Sequence, residues 1–386
     1  MLNERTKLET IKFAQELVRI KSLSGEEKEV ADLIKNKMIE LGFDEVFMDR
    51  YGDIVGKIRG SDSTEGCKKV LFDGHMDTVD VGDGSKWRHD PYGAEIVDDK
   101  MFGRGTCDMK TAISALLYAF KDIDRNFSGE IYISASVGEE IMEGYAFYEV
   151  LQKIKPNYVI LAEPTDLNIN RGHRGRAGIV LTAEGKTAHT AQPEMGINAV
   201  YRIISAIQSV SQMKLPEDKD LGKGSIELLD IVSRPFPSLS QVPDRCVARF
   251  DRRVVVGETQ QTVINDMRGV IKNIEGTTVS YNKIPIHCYT GEIIDALDFR
   301  PGWVFPKSHE IVVKSRHSLE KIGIKPKIQI ARYCTNGSAS GGLLDIPTIV
   351  FGPGSNALHV IDEYIEIDKL LKSVEGFNAI ASGLLE

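Results

Sequence analysis

The stretch Val70-Leu71-Phe72-Asp73-Gly74-His75-Met76-Asp77 joins three apolar residues to a group of ionisable side chains. A short apolar run of this kind is typical of a strand buried in a sheet, and the polar residues after it mark the end of the strand. In open sheets of the α/β class, ligands bind beyond the carboxyl ends of the strands. The stretch therefore predicts a strand that places His75 and Asp77 at its functional end.

The same order of apolar run and ionisable residue recurs along the chain. Apolar runs over residues 131–137 and 158–162 are followed by glutamates within two residues, and a histidine comes after a third run at 348–351. With the acid that opens a helix after Gly103-Arg104-Gly105, the candidates are Asp108, Glu139, Glu140, Glu163 and His359. Any one of them alone is more simply a surface or hydrogen-bonding group. Several in the same register favour a shared site.

The alternation of segments indicates the fold class. Strand-like and helix-like stretches alternate over residues 1–174 and again over residues 292–386. This alternation favours an α/β domain with a mostly parallel central sheet and helices on both faces. One of its helices is predicted to open at Ser24-Gly25-Glu26-Glu27, which has the spacing of a capping box.

Residues 175–291 have a different pattern. Strand-like runs flank helical stretches over residues 198–213 and 263–274, which predicts a smaller α+β domain inserted into the first. Within it, residues 214–245 carry many glycines and prolines. We expect a long loop there with a functional or partner-contacting role.

Composition excludes several functional classes. The 386 residues carry 48 Lys+Arg and 56 Asp+Glu, for a net charge of -8, so nucleic acid is not expected as a partner. The five cysteines lack a C-x-x-C pair, which favours a reducing compartment, and we expect a cytoplasmic protein. The N-terminal sequence lacks the apolar core of a signal peptide, and no long apolar run predicts a membrane span.

The candidate residues have the chemistry of metal ligands. Imidazoles and carboxylates without thiolates suit zinc, manganese or cobalt. Two divalent cations beside three carboxylates and one hydroxide sum to zero charge, and one carboxylate would be shared because two ions lie only about 3.5–4 Å apart. Asp77, two residues from His75, could accept the second ring N–H of that histidine.

The candidate residues lie in motifs that follow one another along the chain: Gly74-His75-Met76-Asp77-Thr78-Val79, Gly103-Arg104-Gly105-Thr106-Cys107-Asp108-Met109-Lys110, Glu139-Glu140, Ala162-Glu163-Pro164-Thr165, Ala188-His189, Asp251-x-Arg253 and His359-x-x-Asp362-Glu363. Motifs in this order resemble a known family of dinuclear metallohydrolases, which includes acetylornithine deacetylase, succinyl-diaminopimelate desuccinylase, aminoacylase and carboxypeptidase G. The resemblance covers nearly the whole chain. Within the family, Leu221-Gly222-Lys223-Gly224 and Thr335-Asn336-Gly337 are most similar to the selenium-metabolism-linked hydrolases.

Position by position, the resemblance implies two divalent ions, zinc in preference to cobalt or manganese, with Asp108 as the shared ligand. The ligands would be His75, Asp108 and Glu163 for one ion, and Asp108, Glu140 and His359 for the other. Glu139 would be the general base beside a metal-bound hydroxide, and Asp77 would orient His75. The peptide bond Asp108-Met109 is expected to be cis.

Three further residues have open alternatives. By resemblance, His189 of the inserted domain stabilises the oxyanion, often across a dimer, whereas the simpler interpretation is a solvated loop imidazole. Arg253 is a candidate clamp for a substrate carboxylate, since a guanidinium binds a carboxylate through two hydrogen bonds; it could equally pair with a neighbouring acid. Asn336 could donate to the substrate or serve an ordinary turn.

The resemblance implies a hydrolase that cleaves the amide bond of a small N-acyl amino acid or related carboxylate. A dipeptidase, aminopeptidase or carboxypeptidase of the same family is the alternative, because the sequence does not reveal the shape of the substrate pocket. A non-catalytic binding protein is a third reading, disfavoured because every ligand position and Glu139 are intact. A homodimer through residues 175–291 is also expected.

Overall fold

The computed structural model describes residues 2–355 and 357–386. The helices are α1 (Glu4–Arg19), α2 (Lys28–Glu40), α3 (Lys110–Ala119), α4 (Phe147–Ile154), α5 (Ala199–Ser211), α6 (Gln260–Ile271), α7 (Glu310–Lys321) and α8 (Ile367–Leu385). Short 3₁₀ turns occur at Gly84–Lys86 and Pro193–Met195, and a π-helix at Ser338–Leu343.

The strands are short, and most lie in two sheets. They are β1 (Glu45–Met48), β2 (Ile54–Arg59), β3 (Lys69–His75), β4 (Ile96–Val97), β5 (Lys100–Phe102), β6 (Glu130–Ser136), β7 (Tyr158–Leu161), β8 (Ile169–His173), β9 (Gly175–Glu184), β10 (Glu217–Asp218), β11 (Gly222–Lys223), β12 (Ser225–Arg234), β13 (Arg245–Val254), β14 (Thr277–Tyr281), β15 (Lys283–His287), β16 (Ile293–Leu297), β17 (Phe299–Arg300), β18 (Trp303–Val304), β19 (Ile328–Ala331), β20 (Thr348–Val350) and β21 (Tyr364–Glu366).

The larger sheet has the order β1-β2-β6-β3-β7-β20-β8-β18, with β19 beside β8. At its centre β3 runs parallel to both β6 and β7, and β20 runs parallel to β7, while β1 and β2 are antiparallel. The central strands are buried along nearly their whole length, as expected for parallel strands covered by helices. The expected α/β class with a mostly parallel central sheet is therefore confirmed.

Helices α3 and α8 pack on β3, and α2 packs on β2. All ten residues of α3 are buried, which makes it the central helix of this layer. Helix α1 begins after Asn3, whose side chain accepts a hydrogen bond from the amide of Thr6 at 2.8 Å. This contact satisfies one of the unpaired amides at the start of the helix.

The chain divides into two compact units. The first contains Met1–His173, Pro285–Asp295 and Val304–Glu386, and the second contains Arg174–Ile284 and Ala296–Trp303. The sequence boundaries, 175–291, differ from the second unit at its C-terminal side. Residues 285–291 pack within the first unit, where the side chain of Ile286 is buried and the hydroxyl of Tyr289 donates to the carbonyl of Gly52 at 2.9 Å. Residues 296–303 belong to the second unit, because β17 pairs with β9.

In the second unit, the sheet has the order β12-β13-β9-β14, with β17 also paired to β9. Helices α5 and α6 pack together, and α5 lies against β9 and β13. The buried cluster between them includes Ile179, Ile203, Phe250 and Val263. This unit therefore has a core of its own.

Two sequence interpretations are wrong in detail. The expected loop at residues 214–245 contains the ten-residue strand β12, which pairs with β13; the glycines and prolines that indicated a loop lie on either side of this strand and not within it. The expected capping box at Ser24 does not form, since α2 begins only at Lys28 and its N-cap, Glu27, makes no side-chain capping bond. Ser24 and Glu27 have other partners, described below.

Among the described residues, no helix is both long and apolar enough to span a membrane.

Candidate metal centre

The larger sheet brings the candidate residues to one edge. His75 ends β3, Glu139 and Glu140 follow β6, and Glu163 follows β7. Because β3 is paired in parallel with both β6 and β7, the carboxyl ends of the three strands lie side by side. Asp108 precedes α3. All these residues belong to the first unit.

Asp108 lies between two imidazoles. Its Oδ1 atom is 2.9 Å from Nε2 of His75, and its Oδ2 atom is 3.3 Å from Nε2 of His359. On the outer sides, His75 Nε2 is 3.9 Å from Glu163 Oε2, and His359 Nε2 is 3.1 Å from Glu140 Oε1. One carboxylate oxygen faces each histidine, which is the arrangement that a bridging ligand requires.

These separations can be compared with zinc chemistry. Two atoms bound to one tetrahedral zinc ion at about 2.0–2.1 Å lie about 3.3 Å from each other. Ligand atoms of His75, Asp108 and Glu140 lie within 4.8 Å of one another, and so do those of His75, Glu139 and Glu163. The residues present therefore fit divalent cations in both spacing and donor type. Each group differs by one residue from a predicted ligand set, because His75 stands in place of His359 in the first group and Glu139 in place of Asp108 in the second.

The charges of the site point the same way. Burial raises the pKa of Glu139 well above its usual range, and the charge of Glu163 raises it further. Burial opposes the ionisation of Asp108, but hydrogen bonds from His359 and His75 outweigh it and lower the pKa of Asp108. Hydrogen bonds to Asp108 and Glu140 raise the pKa of His359 to about 10. In this site the positive charge that balances the buried carboxylates comes from protons on the imidazoles. A bound cation would supply that charge instead, and its binding would release the protons.

Asp77 contacts both His75 and the glutamate turn. The Nδ1 atom of His75 lies 2.9 Å from the main-chain oxygen of Asp77 and 3.5 Å from its carboxylate Oδ1. The carboxylate itself accepts from the amides of Glu139 at 3.2 Å and Glu140 at 3.1 Å. The nearer partner of His75 is thus the carbonyl, while the carboxylate holds the neighbouring turn.

Glu363 supports the loop that carries Asp108. Its buried carboxylate accepts from the amides of Gly105 at 3.0 Å, Cys107 at 2.8 Å and Asp108 at 3.1 Å, and it forms an ion pair with Arg104. The peptide bond Asp108-Met109 is cis, as predicted. In the sequence Glu363 is part of the last motif, but its supporting role is not visible there. The loop that it supports lies about 255 positions away along the chain.

Asn336 is buried behind the strand ends. Its Nδ2 atom donates to Asp73 at 2.8 Å and to Ser136 at 3.0 Å, and its Oδ1 atom accepts from the amide of Gly144 at 2.7 Å. Both N–H bonds of the amide are used within the protein. These contacts indicate that Asn336 supports the strand ends. They disfavour a role of Asn336 in substrate binding, which stays a prediction.

His189 and Arg253 belong to the second unit. His189 is exposed, and its Nδ1 atom accepts from the amide of Ala191 at 3.0 Å. Arg253 pairs with Asp251 at 3.1 Å. The pairing is the simpler interpretation considered for Arg253, whereas the roles of both residues toward a substrate stay predictions.

Comparisons with known proteins show the family of the chain. A profile described as Peptidase family M20/M25/M40 matches residues 71–382. The uncharacterized protein YgeY of Escherichia coli (strain K12) is 31% identical over 354 residues, covering 89% of this chain and 86% of that protein. Acetylornithine deacetylase of Salmonella paratyphi B is 29% identical over 315 residues, covering 78% of this chain and 76% of that protein.

One solved structure gives the fold comparison. The YXEP protein of Bacillus subtilis, described as a dinuclear metal binding peptidase from the M20 family, has a TM-score of 0.72, with 99% of each chain covered. At 12% identity, the likeness shows the fold alone.

Proposed function

The chain belongs to Peptidase family M20/M25/M40, whose members are metal-dependent hydrolases, and we propose that it is a deacylase that cleaves the amide bond of a small N-acyl amino acid or related carboxylate. The observation that carries the proposal is Asp108, with one carboxylate oxygen facing His75 and the other facing His359. A shared carboxylate of this kind suits a pair of ions. Acetylornithine deacetylase, a relative of the chain, carries a deacylase name.

Two divalent ions, zinc in the first instance, would be held at this centre. The proposed ligands are His75, Asp108 and Glu163 for one ion, and Asp108, Glu140 and His359 for the other. When bound, such ions lower the pKa of a water molecule toward 7 and polarise the carbonyl of the substrate. The described dinuclear metal binding of the Bacillus subtilis relative supports two ions rather than one.

Glu139 is the proposed general base. It lies in the same group of ligand atoms as His75 and Glu163, and its side chain is only 7% exposed. A carboxylate at this position can take a proton from water and return it to the departing amine, which is worth about 10²–10⁴-fold in rate. Burial keeps bulk water from competing for that proton.

His189 is proposed to donate a hydrogen bond to the oxyanion that forms at the substrate carbonyl. Because its Nδ1 atom accepts from the amide of Ala191, the neutral ring carries its proton on Nε2. That tautomer makes the exposed side of the ring a donor, as an oxyanion requires. The second unit would act as a lid that brings this donor to the substrate.

The second unit is also the proposed dimer surface, with a second copy of this chain as the partner. Strand β12 forms an edge of its sheet and leaves Leu229 60% exposed, with Ile231 and Val232 exposed as well. On α5, Tyr201 is 70% exposed and Ile204 44%. Apolar side chains beside an unpaired strand edge favour association with another copy, whose own edge can complete the hydrogen bonds.

A di- or aminopeptidase, or a carboxypeptidase, is the second candidate. The observation that favours it is the likeness to a protein described as an M20 family peptidase. Both candidates use the same ligands and the same base, so only the substrate separates them.

The test is a hydrolysis screen of N-acyl amino acids and dipeptides with the purified protein loaded with zinc, cobalt or manganese. We expect turnover of an N-acyl amino acid at least tenfold above that of any dipeptide. Faster hydrolysis of dipeptides would replace the deacylase with the peptidase. Absence of turnover on both classes, with two ions bound per chain, would overturn the assigned function.

A further inference from the structure

Four consecutive main-chain amides, from Val137 to Glu140, donate to three buried carboxylates. The amide of Val137 donates to Asp53 at 2.8 Å, and that of Gly138 donates to Glu27 at 3.3 Å. The amides of the next two residues donate to Asp77, as described above. This turn carries both the proposed base and a proposed ligand, so its orientation sets where the two side chains point.

The segment Ser22–Glu27 contacts both loops of the centre. The hydroxyl of Ser22 donates to the carbonyl of Met76 at 2.7 Å, and its own carbonyl accepts from the amide of Thr78 at 2.8 Å. The hydroxyl of Ser24 donates to Oδ2 of Asp77 at 2.6 Å. The segment is therefore a physical link between the His75 loop and the Glu139 turn.

Glu27 is the residue of this segment that reaches the turn. Its side chain is 0% exposed, one oxygen accepts from Gly138, and the other accepts from the amide of Gly25 at 2.8 Å. A buried carboxylate is unfavourable unless hydrogen bonds compensate it, so its presence here needs a reason other than packing. Burial raises the pKa of Glu27 to about 7, and the charge of Asp77 adds to this effect.

Gly138 shows why the contact matters for geometry. Its φ angle is +65°, a left-handed conformation that glycine adopts without strain. Because glycine has no side chain, its main chain has more conformational freedom than that of other residues, and a hydrogen bond to its amide can restrict that freedom. The contact with Glu27 holds the amide of Gly138 in one direction, immediately before Glu139.

We propose that Glu27 is a positioning residue for catalysis, which fixes the turn at Gly138 and through it the placement of Glu139 and Glu140. The inference rests on the proposed function, since it assigns Glu139 as base and Glu140 as ligand. Glu27 itself does not touch the reacting atoms.

The first test is Glu27→Gln, with Glu26→Gln as the matched control. Glutamine has nearly the same size, but an NH2 group replaces one of the two oxygens that accept separately from Gly25 and Gly138, so one of these hydrogen bonds is lost. We expect kcat to fall about 10- to 100-fold on the best substrate of the screen, with KM within threefold, because the base is displaced while binding remains. Glu26 is exposed on the surface, and its variant should keep wild-type kcat.

The second test is independent of turnover. Titration with cobalt should show that Glu27→Gln weakens the ion held through Glu140 about tenfold, as loss of a supporting contact does, while the ion held through His75 keeps its affinity. Equal weakening of both ions, or of neither, would contradict the proposal. This measurement decides the inference even if the wild type proves inactive on every substrate, an outcome that counts against the proposed function alone.

The third test separates positioning from general destabilisation. If Glu27 acts through Glu139, then adding Glu27→Gln to Glu139→Gln should cause no further loss of kcat at saturating metal, because interacting residues are non-additive. A second drop of the same size would mean that Glu27 acts elsewhere. If Glu27→Gln does not fold, Glu27→Asp replaces it: the shorter side chain draws the carboxylate away from the amide of Gly138, and a loss of kcat with the same non-additivity is expected, whereas additive loss would overturn the proposal.

Discussion

The loops around His75 and the segment around His189 present the same side chain in two different settings. His75 is 1% exposed and has a partner at each ring nitrogen, whereas the side chain of His189 is exposed and its ring accepts a hydrogen bond from the amide of Ala191, two residues along the chain. In the loops around His75, the amide of Asp108 donates to the buried carboxylate of Glu363, and the amide of Glu139 donates to that of Asp77. Each of these pairs joins segments that are distant along the chain. A side chain with fixed partners suits a ligand that must hold an ion continuously. An exposed one suits a group that meets the substrate only after a movement.

The largest effect is expected where the fixed region loses its shared ligand. In Asp108→Ala both proposed ions lose a ligand, so we expect fewer than two ions per chain and hydrolysis at the background rate. Metal analysis of the purified variant measures this directly. The control is Asp62→Ala, which removes an exposed carboxylate in a surface loop and should leave both ions bound. Two ions retained without Asp108 would make the ligand assignment wrong.

The next effect tests the base and leaves the ligands untouched. Glu139→Gln is nearly isosteric and removes only the proton acceptor, so we expect metal content as in the wild type and kcat lower by about 10²–10⁴-fold. The measurement is turnover of the best substrate alongside metal analysis. Activity within a few-fold of the wild type would exclude Glu139 as the base.

These two regions also show what the sequence could predict. Strands β3, β6 and β7 and the ionisable residues at their ends follow from short apolar runs, because a buried parallel strand needs such a run and its polar ends are local. The match to the M20/M25/M40 profile confirms the family that the motifs indicated. Local pattern and motif order were sufficient for this part.

The supporting residues could not be predicted in the same way. Ser24 and Glu27 have the spacing of a capping box, yet their partners are Asp77 and Gly138, 53 and 111 positions away. A local rule assigns such residues to the nearest helix because the tertiary contacts that override it leave no trace in neighbouring sequence. The strand β12 was missed for a related reason: glycine and proline nearby indicate a loop, while its pairing with β13 is set by the fold.

A substitution of the exposed His189 is expected to have a smaller effect, which changes kcat and leaves the metal content unchanged. His189→Ala should keep both ions and lower kcat about 10²-fold, since it removes one donor to the oxyanion. Metal content and kcat measured on the same preparation would distinguish a histidine that binds a metal ion, as proposed for His75, from one that contacts only the substrate. Loss of an ion from this variant would mean that His189 is a ligand rather than a group of the lid.

The same variant can show whether the donor comes from the partner copy. Mixing His189→Ala with Glu139→Gln under conditions of subunit exchange makes half of the dimers mixed, each with one intact composite site. If the donor acts across the dimer, activity should return to about a quarter of the wild-type value. No recovery, with exchange demonstrated by differently tagged subunits, would place His189 in the site of its own chain.

The smallest effect on the metal centre is expected at the proposed dimer surface. Tyr201→Glu places a charge among the exposed apolar side chains of α5 and β12, and burial of an unpaired charge against a second copy is strongly unfavourable. We therefore expect the variant to be a monomer by light scattering where the wild type is a dimer, with both ions still bound, because every proposed ligand lies in the first unit. Gln261→Glu is the matched control, since it adds the same charge at an exposed position of α6 in the same unit and should leave the dimer intact. If the variant remains a dimer, association uses another surface. If it is a monomer that keeps full turnover, then His189 completes the site within one chain, and the exposed segment needs no partner copy to reach the substrate.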